Sequence, residues 1–315
     1  MVRRIARVHI LFVAALCATG ASPAFGMAAY RNEPEIPPPV AVRGNVERVE
    51  AVRTERDGER EHTPLTSAAY DREGRLVARE AYSDGDFQWK TQFEYDSKGR
   101  LVSWESRGPE GRRQWEYRYS YDEHGRLEQE VSYDSTGERD GIQTYEYDRY
   151  NLLEESMYSG DGALQWSRIY EYGDDLTVRR WRMIYPDGGA VKTATEYLDR
   201  FGRIVREVHL DETEQAGEVL RHDYDALGRR VRTAVETTDG DTIRVTERSY
   251  NDRGDLAREV REEVGDESTI VRDLAYEYDS SGNWTKRREV RRVIRSAVLV
   301  RQEREVIERE IEYFN

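Results

Sequence analysis

Apolar and polar residues alternate with a period of two along most of the chain. In the segment 113–121, for example, every second residue from Trp115 to Tyr121 is aromatic. Strict alternation is typical of a β-strand that buries one face. Clusters of Ser, Asp and Gly, such as residues 83–86, separate the alternating segments and are typical of turns. The pattern therefore predicts an all-β chain of antiparallel strands.

A Tyr-Asp dipeptide, or a close variant, recurs along the chain at intervals of 25 to 28 residues. In most copies a glycine stands four residues after the tyrosine and is followed by Arg-Leu, as in 95–101. Self-similarity at a nearly fixed period indicates a repeat protein. The nine tyrosines include Tyr172 and Tyr197, whose copies depart from the pattern. The repeat-defining residues of the other seven copies are Tyr70 and Gly74, Tyr95 and Gly99, Tyr121 and Gly125, Tyr147 and Asn151, Tyr224 and Gly228, Tyr250 and Gly254, and Tyr278 and Gly282.

Each Tyr-Asp segment has the residues of a tight hairpin turn. Asp96 can accept hydrogen bonds from backbone N–H groups two residues further on, and Gly99 can adopt positive φ. A type I turn closed by a glycine bulge meets both requirements and places Tyr95 opposite Leu101. The following pair, Asp and Arg, is expected on the other face in water. Asn151 is expected to take the left-handed glycine position, and altered turns are expected after Tyr172 and Tyr197.

Two strands in each repeat give about twenty strands in one long antiparallel meander. A twisted sheet of this size usually curls, splits or closes, so we expect it to be curled or spiralled, with a stacked pair of sheets as the second choice. A closed barrel is disfavoured because its wet lumen would suit an aromatic face poorly. The segment 298–312 is expected to be a strand rather than a helix. The Arg- and Glu-rich ends are expected to form charged edges that block further pairing.

The chain divides into three parts. Residues 1–26 combine three arginines, a nine-residue apolar run and small residues, which predicts a cleaved secretory signal peptide, with an uncleaved membrane anchor as the alternative. Residues 27–44 form a Pro-rich linker and residues 45–315 the repeat domain. Cleavage removes Cys17, the one cysteine, and changes the formal charge from −14 to −17 by removing three arginines. We expect a mature chain without disulfides or a membrane span, exported to the periplasm or the extracellular space.

The Tyr-Asp-x-x-Gly-Arg-Leu segments at 70–76, 95–101 and 121–127 resemble the YD repeat of the RHS family. The resemblance covers roughly residues 45–315. It implies a spiralling β-sheet and a link to carbohydrate binding, and it supplies no catalytic residues. Large family members enclose a toxin in a hollow shell. Nine repeats are too few for such a shell, and the Asp-Pro-containing self-cleavage motif is missing, so encapsulation is not carried over.

Three tryptophans, Trp89, Trp115 and Trp166, each lie six residues before a repeat tyrosine. They fall on the face of the strand that carries the tyrosines, and equivalent strands lie about 10 Å apart. With Tyr117 they form the candidate ligand-binding set, an aromatic platform for a sugar or peptide. The alternative is that they pack the curled interior. Trp104, Trp181 and Trp284 fall outside this spacing.

No residues combine into a recognisable catalytic, metal or cofactor site. The four histidines outside the signal peptide do not have ligand spacing, and the Asp-Gly-Asp segments suit hairpin turns better than calcium. The cluster Lys286–Arg288 with Arg291, Arg292 and Arg295 could meet anionic polysaccharide or lipid head groups, although nearby glutamates favour a solvated edge. The acidic chain argues against nucleic-acid binding. We expect no cofactor and no metal.

The sequence thus predicts an exported, non-catalytic repeat scaffold of the cell envelope or extracellular space. Its partner is expected to be a glycan or an envelope protein, and its oligomeric state is left open. The alternative is an accessory or remnant component of an RHS-type toxin, immunity or secretion system.

Overall fold

The computed structural model describes residues 42–174, 176–187, 192–210 and 216–315. The predicted signal peptide and all but the last three residues of the linker lie outside these ranges. Twenty β-strands and one short 3-10 turn, Pro109–Gly111, make up the described chain. The strands are β1 Val46–Arg56, β2 Glu59–Tyr70, β3 Leu76–Ser83, β4 Asp86–Tyr95, β5 Leu101–Arg107, β6 Arg113–Tyr121, β7 Leu127–Tyr133, β8 Arg139–Tyr147, β9 Leu152–Ser159, β10 Leu164–Tyr172, β11 Val178–Ile184, β12 Lys192–Leu198, β13 Ile204–Leu210, β14 Ala216–Tyr224, β15 Arg230–Glu236, β16 Thr242–Tyr250, β17 Leu256–Glu263, β18 Ser268–Tyr278, β19 Trp284–Arg295 and β20 Val298–Tyr313.

Every strand pairs antiparallel with the next one along the chain, which confirms the predicted meander. In addition β1 pairs antiparallel with β20, from Val46 opposite Tyr313 to Arg56 opposite Glu305. The sheet is therefore closed, and the expectation against closure was wrong. An up-and-down meander with an even number of strands brings its first and last strands together antiparallel, so the ladder can close without a crossover. The terminal strands pair with each other instead of forming charged outer edges.

The Tyr-Asp segments form the predicted turns. In the second repeat the Asp96 N–H donates to the Arg100 carbonyl at 2.9 Å, and Gly99 has φ of +80°. Tyr95 pairs with Leu101 across a register shift, since the strand after the turn contains one extra residue. The same shift accompanies the turns that follow β2, β6, β8, β12, β14, β16 and β18.

This bulge changes which side chains share a face. We call the face of the sheet that carries Tyr70, Tyr95 and Tyr121 the tyrosine face. Because the extra residue follows each turn, the leucine of the turn lies on this face, and alternation then restarts one residue later. One cluster of buried apolar residues lies on the tyrosine face of the first seven strands, and further buried apolar residues lie on later strands. The cluster contains Val46, Val49, Ala68, Tyr70, Leu76, Phe93, Leu101, Tyr119 and Leu127.

Two turns differ from the expectation. Asn151 does not adopt positive φ, because the fourth turn is one residue shorter and closes by a 3.0 Å bond from the Asp148 N–H to the Asn151 carbonyl. In the sixth repeat Leu198, not Tyr197, lies opposite Ile204. The turn that follows it has the regular bonds and φ of +76° at Gly202. No residue is inserted there; leucine simply replaces the repeat tyrosine.

Candidate functional site

A tyrosine, an arginine and an aspartate link each repeat to the next. Asp96 accepts a 2.7 Å bond from Nε of Arg100, and backbone N–H groups of Arg100 and Lys98 also donate to its carboxylate. The guanidinium of Arg100 lies 4.5 Å from the ring centroid of Tyr121 in the following repeat. The hydroxyl of Tyr121 donates to the Leu101 carbonyl at 2.6 Å. The Asp–Arg pair is thus half-buried against the next tyrosine rather than placed in water on the other face.

The same contact recurs around the sheet. Arginine carbons lie 4.4 to 5.1 Å from the next tyrosine ring in four further pairs, namely Arg75–Tyr95, Arg126–Tyr147, Arg203–Tyr224 and Arg229–Tyr250. The bonds to these aspartates lower their pKa values; for Asp96 the backbone N–H of Arg100 is the largest cause. Each of these five turns is therefore fixed both internally and to the next repeat, while the side chains at its tip stay exposed.

The turn tips carry exposed apolar side chains in four consecutive repeats. We call the edge of the sheet where the Tyr-Asp turns lie the turn rim. At the residue before the glycine position, the first three repeats have Glu73, Lys98 and His124. The next four have large apolar residues at or beside that position, which are 49 to 69% exposed. They are Tyr150, Leu176, Phe201 and Leu227.

Local folding does not require these apolar side chains. The backbone N–H of Phe201 donates to Asp199 at 2.8 Å and that of Leu227 donates to Asp225 at 2.9 Å, and any residue can supply such a bond. Arginines accompany the two aromatic tips: Arg149 lies 5.2 Å from the Tyr150 ring centroid, and Arg200 lies 4.7 Å from that of Phe201. Tyr, Phe, Leu and Arg side chains thus follow one another along part of the turn rim.

The four predicted ligand-binding aromatics differ in their exposure and contacts. Trp115 is 42% exposed. Tyr117 is half-buried and stacks on Trp104 with ring centroids 4.4 Å apart. Trp89 and Trp166 are half-buried, and an arginine guanidinium covers each ring at 5.7 Å. A free aromatic surface exists at Trp115, whereas the platform of several rings stays a prediction.

The other three tryptophans also lie on the tyrosine face, which their sequence spacing did not indicate. Trp104 pairs with Tyr117, Trp181 with Tyr170, and Trp284 with Tyr278. The Nε1 of Trp104 donates to the Tyr119 hydroxyl at 2.8 Å, and burial raises the pKa of that tyrosine. If one extra residue is counted after each turn to allow for the bulge, the sequence places Trp104 on the tyrosine face.

A series of ion pairs runs across the tyrosine face from β16 to β2 and through the seam between β20 and β1. Its members have half-buried or buried side chains, and each contacts an opposite charge on its own or a neighbouring strand. In order they are Arg248, Glu259, Arg272, Glu289, Arg287, Glu305, Arg53 and Glu61. We call these eight residues the charge belt. Several charges of the Arg- and Glu-rich terminal strands therefore form half-buried ion pairs on the tyrosine face instead of solvated caps.

The basic cluster of β19 is neutralised by carboxylates on adjacent strands. Lys286 contacts Glu308 at 2.5 Å, and Arg291 contacts Glu303 at 2.8 Å. Further pairs join Arg288 to Glu277 and Arg292 to Asp273. Strand β19 lies between β18 and β20, so these four cations of the cluster face carboxylates of adjacent strands and not a free edge.

Two histidines converge on one glutamate on the tyrosine face. Glu207 contacts Nε2 of His222 at 2.9 Å and Nε2 of His209 at 3.2 Å, and Nδ1 of His222 lies 3.1 Å from the Thr233 hydroxyl. The contact with His209, followed by that with His222, lowers the pKa of Glu207 to about 2.

Within the described ranges no cluster of three or more His, Cys, Asp or Glu residues is arranged to hold a metal ion. None of the described segments is a helix long and apolar enough to span a membrane.

A model of the RHS repeat matches residues 95–138. This segment is therefore similar to the RHS repeat. This confirms the resemblance that the Tyr-Asp segments indicated. The matched segment runs from Tyr95 to Glu138, across the second and third Tyr-Asp turns of the structure. No curated protein sequence matches the chain.

Several solved structures show distant likeness to the chain. A porin-like protein from Bacteroides uniformis is 12% identical with a TM-score of 0.34, over 86% of this chain and 98% of that protein. The Photorhabdus luminescens Tc holotoxin pore is 15% identical with a TM-score of 0.21, over 72% of this chain. The chain spans only 15% of the length of that toxin component. These TM-scores are too low to support any inference about this chain.

Proposed function

We propose that the protein is an exported, non-catalytic RHS-repeat scaffold that binds a partner protein through the turn rim. The observation that carries the proposal is the row of exposed apolar tips at Tyr150, Leu176, Phe201 and Leu227. Single exposed apolar residues are normal on a protein surface, but a contiguous set usually marks an interaction site. Equivalent turns are two strands apart, so neighbouring tips lie about 10 Å from each other.

The chemistry of the row favours a protein as the occupant. Aromatic residues and arginine are enriched in the energetically dominant parts of protein interfaces. Arg149 and Arg200 stand beside the aromatic tips and keep their guanidinium groups next to the rings. A partner with an apolar strip flanked by carboxylates would match this surface.

The test compares two triple variants of the full chain. In the first, Tyr150, Phe201 and Leu227 are replaced by serine; in the matched control, the equivalent residues Glu73, Lys98 and His124 are replaced by serine. An envelope fraction is passed over each immobilised protein, captured proteins are identified by mass spectrometry, and binding is repeated with the purified candidate. We expect a partner that binds the wild type and the control and not the apolar-tip variant. If the partner binds both variants equally, the turn rim is excluded as the binding site. This holds provided that both variants have the unfolding temperature of the wild type.

Carbohydrate binding is the second candidate, and the exposure of Trp115 favours it. An aromatic ring exposed on one face can stack on the apolar face of a sugar. A glycan array probed with the wild type and with Trp115→Ala tests this function, with Phe201→Ser as the matched control. Loss of a glycan signal in the first variant alone supports the tryptophan site. The absence of any glycan signal for the wild type contradicts it.

A role as an accessory or remnant of a toxin, immunity or secretion system is supported by the RHS repeat at residues 95–138. This role is compatible with partner binding at the turn rim, and it predicts that the partner is encoded beside the protein. Identification of the captured protein therefore distinguishes this role from that of a general envelope scaffold.

A further inference from the structure

The closed sheet has an open edge beside its seam. Strand β20 pairs with β19 from Val298 to Glu308, but its pairing with β1 starts only at Glu305. The turn after β1 ends that ladder, because the Asp57 N–H donates to the Arg304 carbonyl at 2.8 Å and Asp57 Oδ1 accepts from the Arg304 N–H. Among the described residues, no strand lies beside 298–303 on the β1 side. We call residues 298–303 the open edge.

The open edge is apolar at its outer end. Val298, Leu299 and Val300 are 53 to 63% exposed, a run of three large apolar residues on a strand that water reaches from the side. Arg301 and Glu303 bond to each other and stay on the surface. Exposed edge strands usually carry charges that prevent pairing with other chains, and this segment lacks them over half its length.

The backbone of the open edge points donors and acceptors outward. In a strand, N–H and C=O groups of alternate residues point to the same side. Both backbone groups of Arg304 point towards β1, where they meet Asp57. The N–H and C=O of Gln302 therefore point to the same side, into the space above the Asp57 turn. Closer to the start of β20, a β-bulge at Val300 interrupts the pairing with β19. It lies between the pair of Val293 with Arg301 and the pair of Ile294 with Leu299.

We propose that the open edge binds an extended peptide of a partner protein as an added β-strand, in line with β1 and antiparallel to β20. Strand addition satisfies unpaired backbone groups, and pockets beside the apolar side chains select alternate residues of the peptide. Six residues give a ledge about 20 Å long, since each strand residue rises about 3.4 Å. A ledge of this size suits a short peptide. A second copy of the chain is a poorer occupant, because stable interfaces bury about 1,200 Å² or more.

The test uses a fluorescein-labelled peptide of eight alternating valine and threonine residues, titrated against the full chain by fluorescence anisotropy. Gln302→Pro removes the outward N–H without removing a bond to β19, whereas Gln302→Ala keeps that N–H. We expect about tenfold weaker binding for the proline variant and wild-type affinity for the alanine variant, as for the loss of one hydrogen bond. The same peptide with methyl groups on all of its internal backbone nitrogens is a control that needs no variant of the protein. It should not bind the wild type, because these nitrogens can no longer donate hydrogen bonds.

Hydrogen exchange supplies the independent readout. The Gln302 amide should exchange quickly in the free protein and slow down when the peptide is added. The proposal is overturned if that amide is already protected in the free full-length chain, if the wild type does not bind at millimolar peptide, or if both Gln302 variants bind equally. A dimer that the proline variant dissociates would show that a second copy occupies the edge. The apolar tips of the turn rim lie at the other end of the strands, so their variants should leave peptide binding unchanged.

Discussion

Arg53 offers a direct test of whether the charge belt holds the seam closed. This residue of β1 is 6% exposed, and its guanidinium contacts Glu61 on β2 and, at 3.6 Å, both Glu305 on β20 and Asp84. Burial lowers the pKa of Arg53, but the hydrogen bond and charge of Glu61, together with Glu305 and Asp84, raise it overall. Replacement by methionine keeps most of the apolar stem and removes the cation that contacts all three carboxylates, while Glu305 keeps Arg287 and Asp84 keeps Arg56.

The expected loss follows from the burial of the partners. Removing one member of a fully buried pair costs about 3 to 5 kcal/mol, because the other charge is left without a partner. The side chains of Glu61 and Glu305 are 26% and 32% exposed, so water can solvate them in part. We therefore expect Arg53→Met to lower the free energy of unfolding by about 2 kcal/mol. The control is Arg48→Met: Arg48 lies on the same strand but pairs at 2.7 Å with Glu50 in the open, and its loss should cost less than about 0.5 kcal/mol.

Urea unfolding followed by circular dichroism measures both variants. The midpoint should fall for Arg53→Met while the slope stays unchanged, as for a loss of stability without a change in the surface exposed. Amides of β1 and β20 should exchange faster in this variant than amides of β5 and β6, since the seam is the weakened part. Equal midpoints for the two variants, or faster exchange spread evenly around the sheet, would show that the ion pairs do not stabilise the seam.

Three further predictions concern single side chains. Tyr121→Phe keeps the ring under its arginine but loses the bond to the Leu101 carbonyl, so it should lower the free energy of unfolding in urea by about 1 kcal/mol. Gly160→Ala should destabilise by about 2 kcal/mol or more, because the new Cβ would lie 1.7 Å from a backbone oxygen; Gly265→Ala, with no atom within 4 Å, should be neutral. Glu207, whose folded pKa of about 2 lies below its ordinary 4.5, adds stability that is present above pH 4.5 and lost as the pH falls towards 2. Glu207→Gln should therefore lose less stability than the wild type between pH 5 and pH 3, and an unchanged acid profile would contradict the contact with the two histidines.

The repeat made most of the fold predictable. Alternation located the strands, and the Asp and Gly of most Tyr-Asp segments indicated the turn that the structure contains. The pairing of Tyr95 with Leu101 followed from that turn alone. These features are local: they depend on residues within one hairpin, and most of the nine copies repeat the same evidence.

The sites were harder to predict because they depend on contacts between hairpins. The extra residue after each turn shifts the alternation, so Trp104 shares a face with Tyr117 although simple counting separates it from the other tryptophans. The contact of Arg100 with Tyr121 joins residues of different repeats, and no periodic pattern within one repeat indicates it. The apolar tips were visible in the sequence, but only their exposure and their common position on the turn rim make them a surface.

Closure of the sheet could not be predicted from the repeat. The sequence of one repeat determines how it pairs with the next repeat, but it does not determine how many copies are needed for the first and last strands to meet. The evidence for closure lies in the residues that break the pattern. Between Trp284 and Tyr313 the chain has no Tyr-Asp turn, and it is rich in Arg and Glu. Charges that protect a free edge, as the sequence predicts for these residues, would have to be solvated. In the structure Arg287 and Glu305 pair on the tyrosine face, and Glu305 also contacts Arg53 of the first strand. The departure from the repeat is therefore what fits the last strand to the first. In a closed repeat protein, a charged terminal hairpin should therefore be compared with the opposite end of the chain before it is taken as a cap.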